Sequence, residues 1–136
     1  MNSLLPAQSG LLPYWLLLTA GASVLSTAAS YSSENLGRHT YQGPASARQV
    51  TALSSRMFGT WTLLSSVTSS LAAYNIGSKE VYAIAFSTYA VAMVHLASEW
   101  LVYKTMTMRR GLFPPFAVAS ITTIWMAVQR GYYTAR

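Results

Sequence analysis

A chain of 136 residues has room for one domain, and this one carries nine Lys and Arg against three Glu, a net charge of +6, with 52% hydrophobic residues and no cysteine. So few acids exclude a soluble helical bundle, whose outward faces need charge of both signs, and the lack of cysteine excludes disulfides, a thiolate nucleophile and a Cys-based metal site. The basic residues are scattered at the flanks of apolar runs and form no stripe, which argues against a nucleic-acid partner.

Four apolar runs follow one another, at Leu12 to Ser33, Met57 to Tyr74, Val81 to Tyr103 and Leu112 to Val128. Each approaches the roughly 17 to 25 residues that a helix needs to cross a bilayer. The sequence therefore predicts an all-α polytopic membrane protein, a bundle of four transmembrane helices filling residues 1–136 and surrounded by membrane lipid.

The first run opens on Pro13-Tyr14-Trp15, a proline suited to a first helical turn followed by aromatics suited to the headgroup layer. Its end, Ser26-Thr27-Ala28-Ala29-Ser30, resembles a cleavage region, but the preceding residues lack Lys and Arg, so a retained span is expected. The connection from Glu34 to about Ser55 is the longest, and Gly43-Pro44 marks a turn after which a helix can start near Ser46. Asn75-Ile76-Gly77-Ser78-Lys79-Glu80 is short enough to make the second and third spans antiparallel neighbours. Arg109, Arg110, Gly111 and Pro114-Pro115 lead into the last span, and the tail from Gln129 reads as short and polar. Ala22, Ser26 and Ser30, like Ser65, Ser69 and Ala73, have the four-residue small spacing of packing seams.

Lys and Arg give the orientation. Arg38, Arg48, Arg56, Lys104, Arg109 and Arg110 fall on the first and third connections, and Lys79, Arg130 and Arg136 on the other side. The positive-inside rule then puts the first and third connections in the cytosol and both termini in the lumen.

His95 and Glu99 are ionisable groups on one face of the third span. A buried carboxylate needs a partner, protonation or water, and Glu99 lies roughly 7 Å from the end of its span, where Arg56 begins the neighbouring one. An Arg56–Glu99 contact, direct or through one water, is expected, with His95 one turn deeper. The pair reads as a polar clamp between helices in preference to a general acid and base, a proton relay or a metal half-site. Trp61 either lines a sterol-sized pocket or simply packs. Two histidines exclude a histidine-rich iron cluster, and no nicotinamide cradle, Walker loop or nucleophile elbow occurs, so no cofactor is implied.

Arg56-Met57-Phe58-Gly59-Thr60-Trp61-Thr62-Leu63-Leu64-Ser65-Ser66 resembles the ergosterol biosynthetic protein 28 family. The resemblance continues through Val94-His95-Leu96-Ala97-Ser98-Glu99 to Tyr103 and Thr105, and through Trp125-Met126 and Gln129-Arg130-Gly131-Tyr132-Tyr133-Thr134, where it looks fungal. Met57 stands where a Thr is usual, and the first connection differs. The resemblance implies a non-catalytic scaffold of the endoplasmic reticulum that tethers a sterol C4-methyl oxidase, a decarboxylating sterol C4-carboxylate dehydrogenase and a 3-keto sterol reductase, with a sterol methyltransferase as a further associate. Arg56, Gly59, Trp61, His95 and Glu99 are its expected structural or interaction residues, and a homodimer is expected from the seams. The alternatives are a small membrane sterol isomerase using His95 and Glu99 for proton transfer, and a lipid or ion conductor. A lone ionisable cluster at one end traces no polar path for the conductor.

Overall fold

The computed structural model describes residues 4–109 and 111–135, so Arg110 and Arg136, both counted in the charge asymmetry, lie outside the described residues. The described chain is all-helical: α1 (Leu12–Ser32), α2 (Asn35–Thr40), α3 (Ala52–Tyr74), α4 (Lys79–Leu101) and α5 (Phe113–Thr134). Two of them, α1 and α4, are long and apolar enough to cross a membrane by length and composition. The other two long helices match them in length, but α3 is diluted by Ser and Thr and α5 by Pro114, Pro115, Gln129 and Arg130.

Most predicted boundaries fall within a few residues of the helices, and the exceptions have local causes. No helix starts at Ser46. Instead α3 starts at Ala52, five residues before the predicted Met57, because Thr51 and Ser54 form a reciprocal capping box. The short α2 was not predicted. The polar tail is also helical, since α5 continues to Thr134 and Tyr133 is buried against Tyr82, ring centroids 6.4 Å apart.

The long helices pack as two pairs, α1 with α3 and α4 with α5, joined mainly where α3 meets α4. The Asn75–Ser78 turn makes α3 and α4 antiparallel neighbours, as its length predicts. Gly59 sets the approach of α1 to α3, for a Cβ there would stand 2.9 Å from Ser30 Cβ and 3.0 Å from the Tyr31 ring. Thr27 Oγ1 meets Gly59 O at 3.0 Å and Thr62 Oγ1 at 2.9 Å in the same crossing. Helix α1 touches α5 chiefly at Trp15, whose indole N–H donates to Thr122 Oγ1 at 2.8 Å and whose ring lies 6.2 Å from that of Trp125. Tyr82 ties α4 to α5 by donating to Met126 O at 2.5 Å.

Of the small-residue seams, Ser30, Ser69 and Ala73 are buried inside the chain, and Ala22, Ser26 and Ser65 line a cleft between the two helix pairs. Ser30, Ser69 and Ala73 thus pack within the monomer, while Ala22 is exposed and Ser26 and Ser65 are half-buried.

The first and third connections meet at one end of the bundle and form a cap. Gly43 N donates to Thr105 O at 2.7 Å and Ala45 N to Lys104 O at 3.2 Å. The fit is tight enough that a Cβ on Gly43 would fall 2.2 Å from Lys104 O, and one on Gly111 2.0 Å from His39 O. Lys104 itself adopts a positive φ of 58°, where the chain reverses out of α4.

Candidate functional site

Beneath the cap, the last two turns of α4 place His95 and Glu99 on one helix face, as the spacing of four requires. Cap residues bind both. The Tyr41 hydroxyl lies 3.0 Å from His95 Nε2, and the Thr105 hydroxyl donates to Glu99 Oε2. The Glu99 carbonyl, left without an intrahelical donor at the end of α4, accepts from Thr105 N at 3.0 Å. One residue thus satisfies both the carboxylate and the helix terminus.

The expected direct Arg56–Glu99 contact does not form. The Arg56 side chain is exposed, and the ion-pair distances among the described residues are Arg38–Glu34 at 3.0 Å and His95 Nδ1–Glu99 Oε1 at 4.0 Å. The register of α3 explains the miss: Ser55 turns inward to donate to Ser33 O, and Phe58 and Trp61 face α4 in place of Arg56. His95 and Glu99 come together, Trp61 joins them, Gly59 serves the α1–α3 crossing, and Arg56 stands apart.

Aromatic rings surround His95. Trp61 lies 5.3 Å away edge to face and Tyr41 6.3 Å, while Phe58 packs against Tyr41 at 6.1 Å and Trp61 at 5.8 Å. Edge-to-face pairs of this spacing hold their rings in fixed orientations. Burial, reinforced by the Glu99 carboxylate, pushes the Tyr41 phenol well above the ordinary tyrosine range, so the hydroxyl keeps its proton.

This cluster opens into a cleft of about 460 Å³ with Phe58, Trp61 and Val91 on its apolar side and Tyr41, His95, Glu99 and Thr105 on its polar side. That volume is within the range of small-molecule sites. The side chains of His95 and Glu99 are 37% and 20% exposed, so the cleft is open and reaches both. A second, mostly apolar cleft of about 520 Å³ runs between the helix pairs from Trp15 to His39 and Pro114, and Phe58 and Trp61 also line it. Trp61 therefore both packs and lines a pocket.

Tyr41, Phe58 and Thr105 belong to this site and were not singled out as site residues from the sequence. Phe58 and Thr105 fall inside the patches that carry the family resemblance. Tyr41 lies in the divergent first connection and meets His95 across 54 positions, so no local pattern marks it.

Comparison with known proteins agrees with the resemblance. The family described as Erg28 like protein matches residues 12–124. The ergosterol biosynthetic protein 28 of Candida albicans is 37% identical, covering 97% of this chain and 95% of that protein. That of Saccharomyces cerevisiae is 35% identical over 92% and 84%. The human ergosterol biosynthetic protein 28 homolog is 34% identical over 87% and 84%. No solved structure matches.

Proposed function

The chain belongs to the Erg28-like family, and from that premise we propose that it is a non-catalytic membrane scaffold of sterol biosynthesis. It holds the enzymes of sterol C4 demethylation together in the endoplasmic reticulum: the C4-methyl oxidase, the decarboxylating C4-carboxylate dehydrogenase and the 3-keto reductase, with a sterol methyltransferase as a further associate. Tethering raises the effective concentration of each enzyme for a poorly soluble intermediate released by the one before.

The observation that carries this reading is the cap. Two connections distant in sequence are joined backbone to backbone, and the ionisable pair beneath them helps to lock them in place. The result is a fixed surface bearing the exposed Arg38, Arg48, Arg56, Lys104 and Arg109. Four spans with the cap in the cytosol accord with that charge. The hydroxyls of α3 and α5 also accord with burial in lipid, because they bond back to carbonyls of the preceding turn. Thr60 donates to Arg56 O, Ser65 to Trp61 O and Thr123 to Ala119 O. A second copy of the chain would dock through faces other than those that bury Ser30, Ser69 and Ala73.

Affinity purification in mild detergent tests the scaffold. The sterol enzymes are expected among the retained proteins, and recovery of none of them overturns the reading.

The isomerase remains the second reading because His95 and Glu99 both reach a cleft of molecular size. It requires the purified protein alone to move a sterol double bond, with loss of that turnover in His95→Ala and Glu99→Ala. Absence of turnover in the unaltered protein removes it.

A further inference from the structure

Each member of the ionisable pair uses one polar atom on the cap and leaves one facing the cleft. Tyr41 approaches His95 Nε2, and Thr105 holds Glu99 Oε2. The two remaining atoms, His95 Nδ1 and Glu99 Oε1, stand 4.0 Å apart, beyond direct hydrogen-bond reach, and no other hydrogen bond among the described residues engages them.

The Tyr41 phenol keeps its proton and can therefore donate to Nε2, and in the tautomer that accepts there the ring proton sits on Nδ1. Nδ1–H is then a donor aimed near an acceptor, Oε1, across a gap too wide for the two to meet. One oxygen seated about 2.8 Å from each would close that gap, accepting from Nδ1–H and donating to Oε1. A ketone lacks the donor, and a carboxylate would face the charge of Glu99. A hydroxyl has both capacities.

We propose that the gap between His95 Nδ1 and Glu99 Oε1 is the binding site for the hydroxyl of a lipid alcohol whose flat apolar body lies against Trp61, Phe58 and Val91. The alcohol is of the sterol class. That class rests on the sterol-pathway reading above, whereas the hydroxyl geometry does not. Water could supply the same oxygen, but the apolar wall around the polar floor favours an oxygen carried on a hydrocarbon frame. The scaffold would then hold the intermediate as well as the enzymes that act on it.

The test uses the full chain in phosphatidylcholine nanodiscs and a photoreactive sterol with a free hydroxyl on its terminal ring. A matched probe has that hydroxyl methylated, so that it can accept but not donate. The free alcohol is expected to label the protein, with the cross-link near Trp61, and the methyl ether to label on the order of tenfold more weakly, the scale of one lost hydrogen bond to a charged group. His95→Ala and Glu99→Ala are expected to weaken alcohol labelling to a similar extent. Equal labelling by the two probes, or none by either, overturns the site and leaves water as the occupant. The probe comparison needs no substitution, so a variant that fails to fold does not blunt it. Labelling that persists when no sterol enzyme co-purifies would sink the scaffold and leave this site standing.

Discussion

Helix α4 carries two polar centres, and they are built on opposite plans. At Tyr89 the hydroxyl meets Thr19 Oγ1 at 2.5 Å and Ser69 Oγ at 2.8 Å, joining α1, α3 and α4 in a buried knot. Roughly 9 and 15 Å further along the axis, His95 and Glu99 are half satisfied by the cap and half open to a cleft. A purely structural centre draws its partners from within and shuts out other molecules. The second centre leaves His95 Nδ1 and Glu99 Oε1 without a hydrogen bond among the described residues, at the edge of an open cleft.

The comparison breaks most severely if the cap is removed. Gly43→Val would drive a side chain into the Lys104 carbonyl and is expected to cost about 3 kcal/mol or more, read as a lower melting temperature in nanodiscs and rapid proteolysis within residues 41–50. The knot at Tyr89 should survive that change. Tyr89→Phe attacks the other centre. It leaves the Thr19 and Ser69 hydroxyls without their shared partner, and is expected to lower stability by about 1 to 2 kcal/mol while retention of partner enzymes is unchanged.

Tyr41→Phe sharpens the contrast, because it removes the hydroxyl that meets His95 Nε2 and opens no void. A loss of about 1 kcal/mol is expected in chemical denaturation at neutral pH. The folded phenol titrates above its ordinary value of 10.0, so its contribution is complete below pH 10 and declines as the unfolded chain ionises above it. Stability of the unaltered chain should therefore fall above pH 10 more steeply than that of Tyr41→Phe. The smallest effect belongs to Arg56→Ala. With its guanidinium exposed and not paired to Glu99, a change within about 0.5 kcal/mol is expected. A drop of several kcal/mol would point to the expected Arg56–Glu99 contact being made through one water.

The knot and the open site were not equally legible in the sequence. The long helices were readable because apolar runs and turn residues are local signals, and the pairing of α3 with α4 followed from a short turn. His95 and Glu99 were visible as ionisable groups in an apolar run. Their partners were not, since Tyr41 and Thr105 sit in connections whose path depends on how the cap closes. Arg56 was chosen as a partner from its axial level, but the rotation of α3 about its own axis decides which side chains face α4. That rotation is fixed by Gly59 against Ser30 and by Ser55 against Ser33, contacts between helices that no single run encodes. The capping box at Thr51 and Ser54 was local and could have been read, and it would have placed the start of α3 correctly.

The weld between Gly43 and Thr105 also imposes an order on biosynthesis. While the ribosome is still making α4, the amide of Gly43 lacks its acceptor on Thr105, and the first connection must wait in an unfinished shape. Only when Thr105 has been made can the two connections of the cap close. A chain stopped before that point would lack the closed cap, so this end of the molecule takes its final shape only after its third long helix has been made.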